Sequence, residues 1–167
     1  MKRRTPIALL FVASLALGTC AHAQDATHSV RLLTLESATQ AARAALESCR
    51  KSGFQVAVAV VDRSGVTQVV LRDRFAGPHT VDMAVDKAWT AVSFRTNTTA
   101  LAEATLPGKP LSGIRERARV AAVGGGMMIE AAGALVGGIG VSGAPGGDLD
   151  ERCARAGIGA IQQNLDF

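Results

Sequence analysis

Phe54-Gln55-Val56-Ala57-Val58-Ala59-Val60-Val61-Asp62-Arg63-Ser64-Gly65-Val66-Thr67-Gln68-Val69-Val70-Leu71 holds two apolar stretches around one polar turn. Val56 to Val61 carries no polar alternate, so that strand is expected to be central and covered on both faces. Asp62-Arg63-Ser64-Gly65 has the chemistry of a turn, and Val66 to Leu71 is β-branched and apolar again, which makes the pair a hairpin. Upstream, Leu35, Ala38, Ala41, Ala42, Ala45, Leu46 and Cys49 recur at helical spacing, with Thr34 placed to cap the start and Gly53 to end it.

Downstream, Ala76-Gly77-Pro78 breaks the chain, and a second helix is predicted from about Thr80 to Phe94, its stripe formed by Val81, Val85, Ala88 and Val92 with Trp89 beside it. Thr96-Asn97-Thr98-Thr99 interrupts it, and a short helical piece from Ala100 to Thr105 is expected, with Thr98 or Thr99 as its N-cap. Past the loop Pro107-Gly108-Lys109-Pro110 and the basic stretch Arg115 to Arg119, three short strands are predicted: Val120 to Val123, Met127 to Ala131 and Leu135 to Val141. Asp148 with Glu151 resembles a capping box opening a last helix that runs to about Asn164. Helix, hairpin, helix, three-strand meander and helix form a single α+β domain, a five-stranded antiparallel sheet flanked by helices.

The chain has 167 residues, 18 Lys and Arg against 14 Asp and Glu, and a pI near 9.4. Lys2, Arg3 and Arg4 account for most of that surplus. Without them no clustered basic excess remains for a phosphate backbone, so nucleic acid is excluded as a partner. Residues 1–23 read as a secretory signal: a basic start, an apolar run from Ile7 to Leu17, and Ala21-His22-Ala23 in the form that signal peptidase accepts. The run is shorter than the roughly 20 residues that span a bilayer, so no stable membrane association is expected after cleavage. Lipidation at Cys20 ranks below cleavage, because Thr19 stands where a small residue is usual. The product is expected to be periplasmic or secreted, with an irregular leader over 24–33 and the domain over 34–167. In an oxidising compartment Cys49 and Cys153 either pair or remain two buried thiols. Neither has metal-ligand spacing, which argues against a zinc site.

Glycines crowd between Gly124 and Gly147, where tight turns, close packing or a ligand against bare backbone would each explain them. Gly138-Ile139-Gly140-Val141-Ser142-Gly143 matches the dinucleotide-binding fingerprint, yet it occupies a last strand rather than the first turn of a parallel βαβ unit, and that function is rejected. Gly143 to Gly147 opens a helix N-terminus, either an ordinary capped end or a place for an anion or ligand carboxylate. No serine lies in an elbow motif, and His28 and His79 sit in a leader and a turn, so no catalytic constellation is apparent. Asp82 and Asp86 read as a solvated helix face. Around Thr96 to Thr99, hydroxyls converge with Phe94 and Arg95, either as a helix cap or as a rim for a flat anionic ligand with Arg95 on its carboxylate.

Four pieces in order are similar to the GlcG/HbpS-like haem-binding family: Ala59-Val60-Val61-Asp62-Arg63-Ser64-Gly65, Ala84-Val85-Asp86-Lys87-Ala88-Trp89-Thr90-Ala91, Gly124-Gly125-Gly126, and Gly138 to Ala144 with Asp148 and Asp150 behind. The resemblance implies a profilin/PAS-like α+β fold with a five-stranded sheet, homo-oligomers, and haem as cofactor in haem or iron capture or redox sensing, and the first expectation is a protein that is non-enzymatic or only incidentally redox-active. It makes Thr98, in Phe94-x-x-x-Thr98, the candidate iron contact. His79 is the alternative, and His28, Met83, Met127 and Met128 are further rivals. Phe94, Leu101 and Met127 would supply an apolar face and Arg95 a positive group for a propionate, at a shallow site between subunits. Two departures are Arg74-Phe75-Ala76-Gly77, where many relatives have Asp-Gly-Ala, and Met127-Met128, where others have proline. The competing expectations are a binding module for a small organic acid such as glycolate, and a purely structural oligomer.

Overall fold

The computed structural model describes residues 26–165. The expected signal segment, with Cys20, lies outside the described residues. Residues 26–30 are exposed and irregular, and the fold is carried by the unit that begins at Arg31.

The elements are α1 (Leu35–Lys51), β1 (Ala57–Asp62), β2 (Thr67–Arg72), α2 (Thr80–Phe94), α3 (Thr98–Ala104), a 3-10 turn (Ser112–Glu116), β3 (Gly126–Ala131), β4 (Ala134–Ser142) and α4 (Gly147–Leu165). The sheet order is β2-β1-β4-β3 with every pairing antiparallel, so β1 is central. The two faces of β1 explain its unbroken apolar run. Val56, Val58 and Val60 join Ile129, Ile139, Val141, Ala38, Ala45 and Ile161 in the core under α1 and α4. Ala57, Ala59 and Val61 face α2 through Ala84, Ala88 and Val92.

The sheet has four strands, not five. Val120 to Val123 is irregular chain whose amides are spent elsewhere: Ala121 N–H donates to Thr90 Oγ1 at 3.0 Å and Val123 N–H closes a tight turn on the Ala121 carbonyl at 2.9 Å. Anchoring to α2 keeps this segment off the sheet edge, and the expected meander reduces to the β3–β4 hairpin.

Two caps also differ from expectation. Asn97, not Thr98 or Thr99, precedes α3, and its side chain accepts the Met128 N–H at 3.1 Å rather than capping. Asp148 lies inside the first turn of α4 with its carboxylate 3.7 Å from Arg152, while Glu151 is taken by Thr99 and by Arg155 at 3.0 Å, so no capping box forms. Thr34 does cap α1, accepting the Ser37 N–H at 3.2 Å.

The fingerprint glycines serve packing. A Cβ on Gly140 would stand 2.0 Å from the Ala84 carbonyl oxygen, and one on Gly138 2.7 Å from Val92 Cγ1. Bare backbone on β4 is what lets α2 lie this close to the sheet. On the opposite face Cys49 of α1 and Cys153 of α4 form a disulfide, with Cα atoms 5.5 Å apart and 104 positions between them. Of the two states open from the sequence, the structure has the bridge.

Candidate functional site

Asp73 organises the loop that leads into α2. Its N–H donates to the Val56 carbonyl at 3.0 Å and its buried carboxylate accepts from Arg50 Nε at 2.7 Å, while Ala76 N–H returns to the Asp73 carbonyl at 3.1 Å. Thr80 then ties the start of α2 to Gly77, through its N–H at 3.0 Å and its hydroxyl at 2.6 Å. Between these anchors Phe75 is held out at 78% exposure, and the His79 imidazole lies over Gly77, where a Cβ would meet Cε1 at 2.7 Å.

This loop borders a cleft of about 630 Å³ whose opposite wall is the Ser142 to Gly147 segment leading into α4. His79, Met83 and Lys87 follow one another at four-residue spacing along α2, and all three line the cleft. At its floor the Lys87 ammonium donates to Asp150 Oδ2 at 2.7 Å and to the Val141 carbonyl at 2.9 Å. Asp150 Oδ1 accepts the Ala144 N–H at 3.0 Å. Burial pushes the Asp150 carboxyl above the usual carboxylate range, against the pull of the Lys87 charge and of its hydrogen bonds. Gly125, at φ +114°, makes room for the pair: a Cβ there would come 2.9 Å from Lys87 Nζ.

The residues expected at a ligand site are dispersed. His79 and Met83 line the cleft. Thr98 is fully buried behind its floor, and its hydroxyl accepts the Gly126 N–H at 2.8 Å and donates to the Gly126 carbonyl at 3.3 Å. Phe94 and Arg95 stand at the far end of α2, about 22 Å along the axis from His79, with Arg95 in a left-handed conformation that ends the helix. Met127 is buried in the α1–α4 core and Leu101 is also buried. His28 is in the exposed leader, and Met128 gives its amide to Asn97. Asp86 pairs with Arg119 at 3.2 Å, and Asp82 is exposed.

Sequence reasoning assigned no role to Lys87, Ser142, Asp150 or Phe75, although all four line the cleft. A signal existed for Lys87: it is a charged residue inside the small-residue stripe Ala84, Ala88, Ala91, where only a partnered ammonium can be buried. A second groove of about 620 Å³ follows the outer side of α1, lined by Glu36, Gln40, Arg43 and Glu47, and offers no imidazole, thiol or thioether. Among the described residues no three His, Cys, Asp or Glu side chains are grouped to hold a metal ion.

A three-layer α+β domain with a mixed polar and apolar cleft at the N-terminal ends of α2 and α4 has the form of a small-molecule-binding protein. Residues 33–159 match the family model described as "Haem degrading protein HbpS-like", and the chain belongs to that family. A double mutant of Streptomyces reticuli HbpS is 44% identical, with a TM-score of 0.76 over 89% of this chain and 99% of that one. The PduOC:haem complex is 32% identical, with a TM-score of 0.73 over 78% and 95%. The corrinoid adenosyltransferase PduO of Salmonella typhimurium is 31% identical over 137 residues, 81% of this chain and 36% of that protein. The chain thus spans about a third of the length of the curated relatives it matches first.

Proposed function

We propose that this protein is an exported haem-binding protein that takes haem into the α2–α4 cleft, with His79 as the iron-facing group, and serves haem or iron capture or redox sensing. The carrying observation is that one cleft joins an exposed imidazole, the Met83 thioether and the exposed ring of Phe75. Imidazole is a common axial haem ligand, an aromatic side chain suits a porphyrin face, and the volume falls within the range of cofactor sites. Family membership and the haem complex of the related PduOC support the same reading. Haem would supply the iron and its redox chemistry. The chain's residues bind, orient and shield it. His79 is favoured over Thr98 because the threonine hydroxyl is committed to Gly126 in both directions.

Export is supported by the buried disulfide, which suits an oxidising compartment, and by the signal-like start. Phe75, exposed at the mouth of the cleft, favours completion of the site by a second subunit.

The test is a haemin titration of residues 24–167 followed by absorbance and size-exclusion chromatography. A shifted Soret band that saturates at stoichiometric haemin, and is altered by His79→Ala, is the expected result. The spectrum of free haemin at that loading refutes haem binding. A spectrum changed by Thr98→Ala and indifferent to His79→Ala moves the iron contact to the threonine.

A further inference from the structure

The wall of the cleft formed by the end of β4 and the start of α4 has chemistry of its own. Ser142, the last residue of β4, is only 6% exposed and lines the cleft, and its hydroxyl, which is not among the fully enclosed unpartnered atoms, makes no hydrogen bond to the described residues. Such a hydroxyl keeps its donor and its acceptor for whatever enters the cleft, water or ligand. Beside it the chain enters α4, a helix of 19 residues whose N-terminal end opens into the same cleft. No acceptor among the described residues takes the amides of Gly146 and Gly147. Those amides and the helix dipole favour a negative group. Lys87 uses two of its three ammonium donors, on Val141 and Asp150, leaving one. Of the nearby carboxylates, Asp150 is matched by Lys87 and the Ala144 amide, while Asp148, 79% exposed, has one oxygen toward Arg152 and the other beside Gly146, a flexible side chain that an entering carboxylate must turn aside.

We infer that Ser142, the Gly146–Gly147 amides and Lys87 form a carboxylate-binding subsite at the floor of the cleft. The inference deepens the haem reading, since both use the one cavity. Lys87 lies about 12 Å along α2 from His79 by its backbone, and its ammonium reaches the Val141 carbonyl next to Ser142, so the subsite and the imidazole border the same cavity. The same donors would serve a haem propionate or a free short-chain carboxylic acid.

Two ligand series tell these sources apart. In the first, wild type, Ser142→Ala and Ser142→Thr are titrated with haemin and with its dimethyl ester. Haemin affinity is expected to fall about tenfold in the alanine variant, the scale of one hydrogen bond to a charged group. It should recover in the threonine variant, and the ester should not distinguish the three. In the second, acetate and succinate are titrated without haem while the amide resonances of Gly146 and Gly147 are followed. Saturable shifts that weaken in Ser142→Ala support the subsite with a free acid as its occupant, even where haemin fails to bind. If neither haemin nor the short acids respond to Ser142→Ala, the subsite does not exist.

Discussion

Lys87 and Asp150 form an ion pair at 2.7 Å with side chains only 3% and 4% exposed, joining α2 to α4 across the floor of the cleft. Two charges this deeply placed are tolerated because each is answered: the ammonium also meets the Val141 carbonyl, and the carboxylate also meets the Ala144 amide. The pair ties the middle of α2 to the first turn of α4 beneath the cleft.

Lys87→Met removes the cation and leaves Asp150 buried alone. A loss of about 3–5 kcal/mol at neutral pH is expected, measured by urea unfolding. Burial already raises the Asp150 carboxyl, so the folded state holds its proton more tightly than the unfolded chain does. Stability from this group is therefore greatest below its ordinary value of 3.8 and declines as pH rises through the raised folded value. In Lys87→Met the folded value rises further, so the variant's deficit should shrink on acidification. A deficit unchanged between neutral and acidic pH would refute an unpaired Asp150 as its cause.

Gly140→Ala places a methyl group 2.0 Å from a backbone oxygen of α2, where no flexible side chain can yield. The helix must lift from the sheet, at a cost of about 1–3 kcal/mol or more, read from the urea midpoint. Gly133→Ala makes the comparison: its Cβ meets nothing within 4 Å, and any loss there reflects the left-handed turn alone, φ +75°.

Reducing the Cys49–Cys153 bridge, or replacing both residues by serine, frees a long loop in the unfolded chain. A loss of about 2–5 kcal/mol is expected, visible as a lower Tm in reductant. A Tm insensitive to reductant in the unmodified protein would mean that the bridge is not formed in solution.

Thr98→Val keeps the shape of the side chain and removes the hydroxyl that closes on both backbone groups of Gly126. Leaving those groups unanswered should cost about 1–3 kcal/mol in chemical denaturation. With His79 facing the iron, the haemin spectrum of this variant should match that of wild type.

Much of the fold was legible because burial leaves local patterns. Val56 to Val61 announced a strand covered on both sides, and the bounds of α2 were readable as Thr80 to Phe94 from its apolar stripe and flanking breaks. Val120 to Val123 looked like a strand because its residues are β-branched and small, but the Thr90 hydroxyl competes for its amide, and nothing local reveals such a competitor. The site was harder to read. Phe94 and Arg95 have suitable chemistry for a ligand, yet fifteen residues of helix carry them to the far end of α2. Met127 was available to a ligand on paper and was drawn into the α1–α4 core by the inward face of β3.

The sequence by itself determined the order of the four helices and of the four strands that form, the centrality of β1, the family resemblance and the presence of two cysteines able to pair, because each is written in neighbouring residues or in a short motif. Only the tertiary structure decided that Cys49 meets Cys153, that Lys87 meets Asp150 from 63 positions away, and that His79 and Ser142 border one cavity. Periodicity encodes which face of an element is buried. Which faces meet depends on strand order and on how closely bare glycine lets a helix approach, and both are settled by packing the whole chain.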